Sequence, residues 1–455
     1  MPPDVPLLEP APRRSSNVRR LYVILGLYSL SLALWNQQLL SLYLITLPNV
    51  DTRQVGIAEG AQGVARLCSA IFLGIAVDKL PRNLVLRLGA IYGVVVHAWL
   101  LVLVGFSDAV LPASLHAHRI YLWYGTLPCF AIFDALANVV GAVVFADSVK
   151  TGSRVGPYTT LMLSRQAGLL VGPTSGLVYF AATGTTTWSE ATLRPVMLAG
   201  VCVGALSAAL LLTLDHGRTL GTASDAQYVQ PAAEPAAAAE AAEQPLNAAP
   251  RPTAASRDAA RVRWFIFSYD LLRVLSGGLI VKYWGLYFAQ GFGMTPPVLQ
   301  AVDATRVVLC LAFTKAAGWC CQRKYVSRSV ACLLLLVVVD IGNFCTSFGT
   351  SVWVAVPGWL ARASANNGVF GLKQSLLADY TPKGRRGRWN AVDSLQAGVW
   401  SGTAVVGGYL IHAYGYQLAF LAMSCGFVGC TCIWVPLALL ERRAARREAS
   451  GGGRE

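Results

Sequence analysis

Twelve apolar runs, each about 20 residues long, recur along this 455-residue chain, and their length limits the fold more than any single motif does. A helix needs about 20 such residues to cross roughly 30 Å of hydrocarbon. The runs fall near 21–46, 54–77, 84–106, 119–146, 157–181, 193–214, 264–289, 297–317, 329–348, 352–378, 391–413 and 417–439. They are continuous rather than alternating, which suits helices that satisfy their own backbone and not a barrel. Charged residues make up 13% of the chain, about half the share found in soluble domains. A soluble chain of this length would split into domains rather than hide so much apolar surface in one core. The expected fold class is therefore an all-α polytopic membrane protein with twelve transmembrane helices.

Between the sixth and seventh runs the composition changes. Residues 216–262 are rich in Ala, Pro, Glu and Gln, as in PAAEPAAAAEAAEQP, and have almost no large apolar side chains. Such a stretch cannot bury enough surface to order itself and reads as a flexible linker, with room for a short helix near Ala239–Glu243. The expected organisation is an N-terminal tail (1–20), a six-helix bundle (21–215), the linker (216–262), a second bundle (263–440) and a basic tail (441–455). Of 37 Lys and Arg residues, 26 lie in the loops and tails on the side of the N-terminus; the opposite loops carry only Arg53, Arg119 and Arg194. This bias predicts that both termini are cytoplasmic, in a membrane the sequence does not specify. The net charge of +14 is then a topology signal, and no nucleic-acid partner is needed. The expected partners are the lipid bilayer and a small-molecule substrate, with the chain acting as a monomer. No cleavable signal peptide is expected, because the first run is too long for one.

Several kinds of chemistry lack their motifs. The eleven cysteines lie in or beside apolar runs without zinc spacing and read as small hydrophobes. Of the five histidines (His97, His116, His118, His216, His412), only His116-x-His118 gives a weak metal signal. No metal and no cofactor is expected. There is no G-x-x-x-x-G-K-[ST] loop for a nucleotide and no grouping of nucleophile and base, so an enzyme is not expected.

The halves repeat each other. Asp147, Arg154 and Gly176 recur 232 residues later as Asp379, Arg386 and Gly408, while Gly74 and Gly318 are 244 apart. Repeats of this kind place a binding site between two bundles. The stretch GIAVDKLPR (Gly74–Arg82) resembles the G-x-x-x-D-R/K-x-x-R loop motif of the major facilitator superfamily. Gly168, Gly172-Pro173 and Gly176 resemble its fifth-helix G-x-x-x-G-P-x-x-G motif. ADYTPKGRRGRWNA, followed by GGYLI, resembles the second half of many members, a plant and protist subgroup among them. The resemblance implies a transporter built of two six-helix repeats. It also implies a gating set of Gly74, Asp78, Lys79, Arg82, Gly172, Pro173, Asp379 and Arg386, in which Asp78 latches the cytoplasmic side against the eleventh helix. Gln322 stands where the second-half loop would carry an acid, so the implied gate is asymmetric. Read without the family, Asp78 is equally a loop charge that sets topology, and the glycines equally serve close helix packing.

Charges inside spans are costly enough to demand a reason. Those more than four residues from a span's end fall on spans 2, 4, 5, 7, 8 and 10, with only Asp340 on span 9. The resemblance implies that spans 3, 6, 9 and 12 lie outside the central pathway, which this distribution fits. The candidate substrate residues are Arg66, Arg165, Arg273, Lys282, Arg306, Arg362, Lys373 and Asn138, with Asn366-Asn367 beside them; Lys315 is close enough to the surface to snorkel. The candidate proton-coupling carboxylates are Glu59, Asp134, Asp270 and Asp303. Asp270/Arg273 and Asp303/Arg306 are three apart and can neutralise each other. Arg66, Arg165, Arg362 and Lys373 have no such neighbour, and this surplus of cations suits an anionic substrate. The expected activity is secondary transport of a small solute, an organic anion, by alternating access with proton coupling or exchange. The rival readings are a proton-coupled drug exporter and a non-transporting membrane sensor on the same fold.

Overall fold

The computed structural model describes residues 16–106, 112, 116, 118–149, 155–215, 254–323, 325–380 and 399–451. Within these, the side chains of 74–75, 77–79, 82, 146–147, 155, 254–259, 378–379 and 441–451 are not described. The expected side-chain roles of Gly74, Asp78, Lys79, Arg82, Asp379 and Arg386, and the linker residues 216–253, thus lie outside the described part.

The described chain is helical throughout: α1 (Ser16–Trp35), α2 (Gln38–Thr46), α3 (Thr52–Lys79), α4 (Arg82–Gly105), α5 (Arg119–Asp147), α6 (Val155–Ala182), α7 (Glu190–Leu210), α8 (Ala254–Gly278), α9 (Trp284–Leu286), α10 (Pro296–Gln322), α11 (Arg328–Phe348), α12 (Val352–Tyr380) and α13 (Ala404–Gly451). α1 and α2 together form span 1. α8 and α9, with a wide turn over Tyr287–Gly291, form span 7. α13 holds two spans, divided at Gly415, whose φ of 81° only glycine adopts without strain. α8 begins at Ala254, inside the stretch expected to be linker, and α13 runs into the stretch expected to be a tail.

Among the described residues, seven stretches are long and apolar enough to cross a membrane by length and composition, and one of them, Val399–Leu440, covers both spans of α13. α3, α6, α8 and α12 fall outside that set. These four helices carry Glu59, Arg66, Arg165, Asp270, Arg273, Arg362 and Lys373, which explains their lower apolarity. The molecule is an integral multi-pass membrane protein.

The first half packs around its first helix, and the second around α12. In the first half α1 lies against α6 and α7, and α3 against α5; in the second, α12 lies against α10 and α11, and α8 against α13. The halves meet through α3 with α13 and α6 with α10, at the ends remote from the termini. There the repeat mates Gly408 and Gly176 do the same work. A side chain on Gly408 would run into the Thr52 carbonyl and the Tyr283 hydroxyl, and one on Gly176 into Gln300. At the terminus-bearing end, an added Cβ on Gly156 or Gly318 meets nothing within 4 Å. The halves are closed at the far side. The other two glycines of the fifth-helix motif pack inside the first half: Gly168 against Gly26 and Gly172 against Ala33 on α1. Small residues here let two backbones approach closely.

Candidate functional site

Both halves break their first span at the same place. In span 1 the Asn36 and Gln37 amides both donate to Leu32 O, at 3.0 Å each, where Asn-Gln-Gln interrupts an apolar run. In span 7 the helix loosens after Ser276-Gly277-Gly278; Leu279 N donates to Ser276 O at 3.3 Å and Ile280 N to Gly277 O at 3.4 Å. Positions 36 and 280 are 244 apart, the same offset as Gly74 and Gly318. Tandem glycine lowers helix propensity enough to allow the second break. Discontinuous helices of this kind line binding sites in membrane carriers, because unwound backbone is tolerated where it faces a cavity.

A cavity of about 300 Å³ opens at these breaks. Gln37 and Lys282 reach it from the interrupted spans, Arg306 from α10, Arg362 and Asn366 from α12, and Trp400 from just before α13. Lys282 Nζ lies 2.8 Å from Glu59 Oε2, and Arg306 Nε donates to Asp303 Oδ1 at 2.6 Å. Arg362 differs. It is 7% exposed, its guanidinium lies 4.6 Å from the Trp359 ring centre and 5.5 Å from that of Phe427, and Nη2 points at Met423 Sδ at 3.3 Å. Its Nε has no hydrogen-bond partner, and no carboxylate among the described residues pairs with it. Among the described residues, three cations thus face the cavity and two carboxylates stand behind them.

The remaining sequence candidates form two clusters that do not line this cavity, though the second reaches its Trp400 wall through Arg273. On the first half, Asp134 pairs with Arg66 at 3.0 Å and accepts from Tyr28 Oη at 2.5 Å and Asn138 Nδ2 at 2.8 Å; Arg165 Nη2 donates to Asn138 Oδ1 at 2.7 Å. On the second, Lys373 Nζ donates to both Asp270 oxygens at 2.7 and 2.8 Å, while Arg273 stands 3.6 Å away and covers Trp400. Arg66, Arg165 and Lys373, which have no partner nearby on their own helix, have partners on other helices; of that group Arg362 alone has no side-chain oxygen partner among the described residues. Asp340, the one charge on span 9, accepts from Thr431 Oγ1 at 2.6 Å and is tied to α13. Sequence reasoning missed Trp284, Trp359 and Trp400. Trp359 precedes Arg362 by three residues, a spacing that puts both on one helix face.

Two links across the halves are also repeat mates. Lys282 on span 7 pairs with Glu59 on α3, and Gln38 on α2 donates weakly, at 3.4 Å, to Asp303 on α10. Gln38 and Lys282 are 244 apart, as are Glu59 and Asp303. One pseudo-twofold contact is ionic and its mate is neutral on one side. Glu59 is wholly buried and also accepts from Ser41 Oγ at 3.1 Å.

No family model matches the sequence, and no curated protein does. Solved structures match along nearly all of it. A bacterial homologue of the iron transporter ferroportin in an inward-facing state superposes with a TM-score of 0.67 at 13% identity, over 92% of this chain and 98% of that one. A D-xylose-proton symporter gives 0.67 at 15%, over 92% and 97%. This chain has the major facilitator fold. A bacterial ferroportin homologue in an outward-facing state with soaked iron gives 0.58 at 11%, over 92% and 99%, a poorer superposition than the inward-facing one.

Proposed function

We propose that this protein is a secondary carrier that moves a small organic anion by alternating access. The observation that carries this reading is Arg362, buried on a cavity between the halves with no carboxylate partner among the described residues. A guanidinium held in low dielectric attracts a carboxylate strongly and binds it through two parallel hydrogen bonds. Lys282 and Arg306 beside it are already neutralised, so the net field in the cavity is positive.

The far-side closure, with the better superposition on an inward-facing structure, favours a conformer open toward the termini, and the basic loops favour the cytoplasm as that side. Opening the far side would pull Lys282 away from Glu59. A buried carboxylate that loses its cation needs a proton or water in its place, and this makes Glu59 the leading candidate for proton coupling. Asp134 and Asp270 are more enclosed in structural pairing, and Asp303 keeps Arg306 from its own helix in either state. Asp78, Lys79 and Arg82, with Asp379 and Arg386, are proposed as the latch on the terminus-bearing side, and 216–262 as the tether between bundles.

A drug exporter would want a carboxylate free to meet a cationic substrate. Around this cavity both described carboxylates are already paired. Uptake by proteoliposomes of the purified protein, with pooled labelled organic anions and lipophilic cations, with and without a pH gradient, tests the reading. Anions should accumulate, and collapse of the gradient should abolish accumulation. Movement of lipophilic cations without anions would overturn it.

A further inference from the structure

The walls of the cavity narrow the class of anion. Trp284 and Trp359 stack at 5.1 Å with an interplanar angle of 23°, and Trp400 lines the same space. Trp359, Arg362 and Asn366 lie at positions i, i+3 and i+7 of α12, on one face. Each lines this cavity and carries a buried polar atom with no partner: the Trp359 Nε1–H and Arg362 Nε–H donors and the Asn366 Oδ1 acceptor. Trp359 is 3% exposed and Arg362 7%, so these groups are shielded from bulk water. Buried polar groups left unmet are costly, and a set of them on one face is what a ligand of matching pattern would satisfy. The volume of about 300 Å³ is at the small end of ligand pockets, room for one ring system and not for a dinucleotide or lipid.

We infer that the transported anion is a small aromatic carboxylate whose ring carries a hydroxyl or amino donor, and this rests on the anion reading above. The carboxylate takes the two donors of Arg362 and Trp359, the ring lies on the tryptophan walls, and the ring substituent donates to Asn366 Oδ1. Flat rings gain from offset and edge contacts with fixed indoles in a way that puckered aliphatic rings do not. The side chains that supply the walls are already stacked, so little ordering is required on binding.

Four probes of one size separate the parts of this inference: 4-hydroxybenzoate, benzoate, trans-4-hydroxycyclohexanecarboxylate and 4-hydroxybenzamide. Affinities are measured by calorimetry on the purified full-length protein in detergent. The expected order is 4-hydroxybenzoate first, with benzoate and the cyclohexane acid each about tenfold weaker and the neutral amide weaker still. Trp359→Leu should erase the preference for the aromatic over the cyclohexane acid, and Trp359→Phe should keep it. Equal binding of both acids by the native protein would overturn the aromatic inference and leave the anion reading standing. Binding of the amide as tightly as the acid would overturn the anion reading, and binding of none would overturn both.

Discussion

Arg362 is held by aromatic faces on two sides and by a thioether, an arrangement that offsets only part of what a buried guanidinium loses by leaving water. Its two neighbouring cations have carboxylates and it has none among the described residues, which favours a ligand role over a structural one. Arg362→Met should therefore leave folding intact and abolish transport, while Arg362→Lys, which keeps the charge but loses the planar fork, should raise the apparent KM about tenfold. Uptake kinetics set beside thermal unfolding in detergent check both. The Asp270 cluster should behave in the opposite way. Asp270 and Lys373 are 2% and 1% exposed, so Asp270→Asn strands a buried ammonium and should cost about 3–5 kcal/mol of stability; adding Lys373→Met should return most of it. At this scale the sequence was half legible. Asp303–Arg306 could be read from its spacing, because three residues on a helix share a face. Arg66–Asp134 and Lys373–Asp270 join different helices, and nothing in the local sequence marks which helices touch.

The elements that matter most are the two interrupted spans. Runs 21–46 and 264–289 read as continuous helices, because three polar residues or a glycine pair leave each run predominantly apolar. The breaks become visible only in the backbone, yet they bring Gln37 and Lys282 to the cavity and Gln38 and Lys282 across the boundary between halves. Because the Glu59–Lys282 link is ionic and its repeat mate is not, uptake by Glu59→Gln should lose its dependence on a pH gradient, while Asp303→Asn should retain it. Parallel flux measurements at collapsed and imposed gradients decide this. The glycine contacts at the far side make a separate prediction. Gly408→Val pushes a side chain into the Thr52 carbonyl and should hold the far side open, so a single cysteine placed there should label several-fold faster than in the glycine protein.

For the whole molecule, twelve spans, two halves and the 244-residue offset between them were legible in the sequence, since hydrophobic length and a repeat do not depend on knowing which helices touch. The closed far side was not legible, because one sequence serves every state of a carrier. In the proposed cycle two bundles rock around this cavity, which is exposed to one side at a time. Trans-stimulation tests that cycle most directly. Proteoliposomes preloaded with unlabelled 4-hydroxybenzoate should take up the labelled compound faster than empty ones and overshoot equilibrium, and Arg362→Met should show neither effect. Labelled influx that ignores the preload and simply follows the gradient would contradict a rocking carrier and mark an open pathway instead.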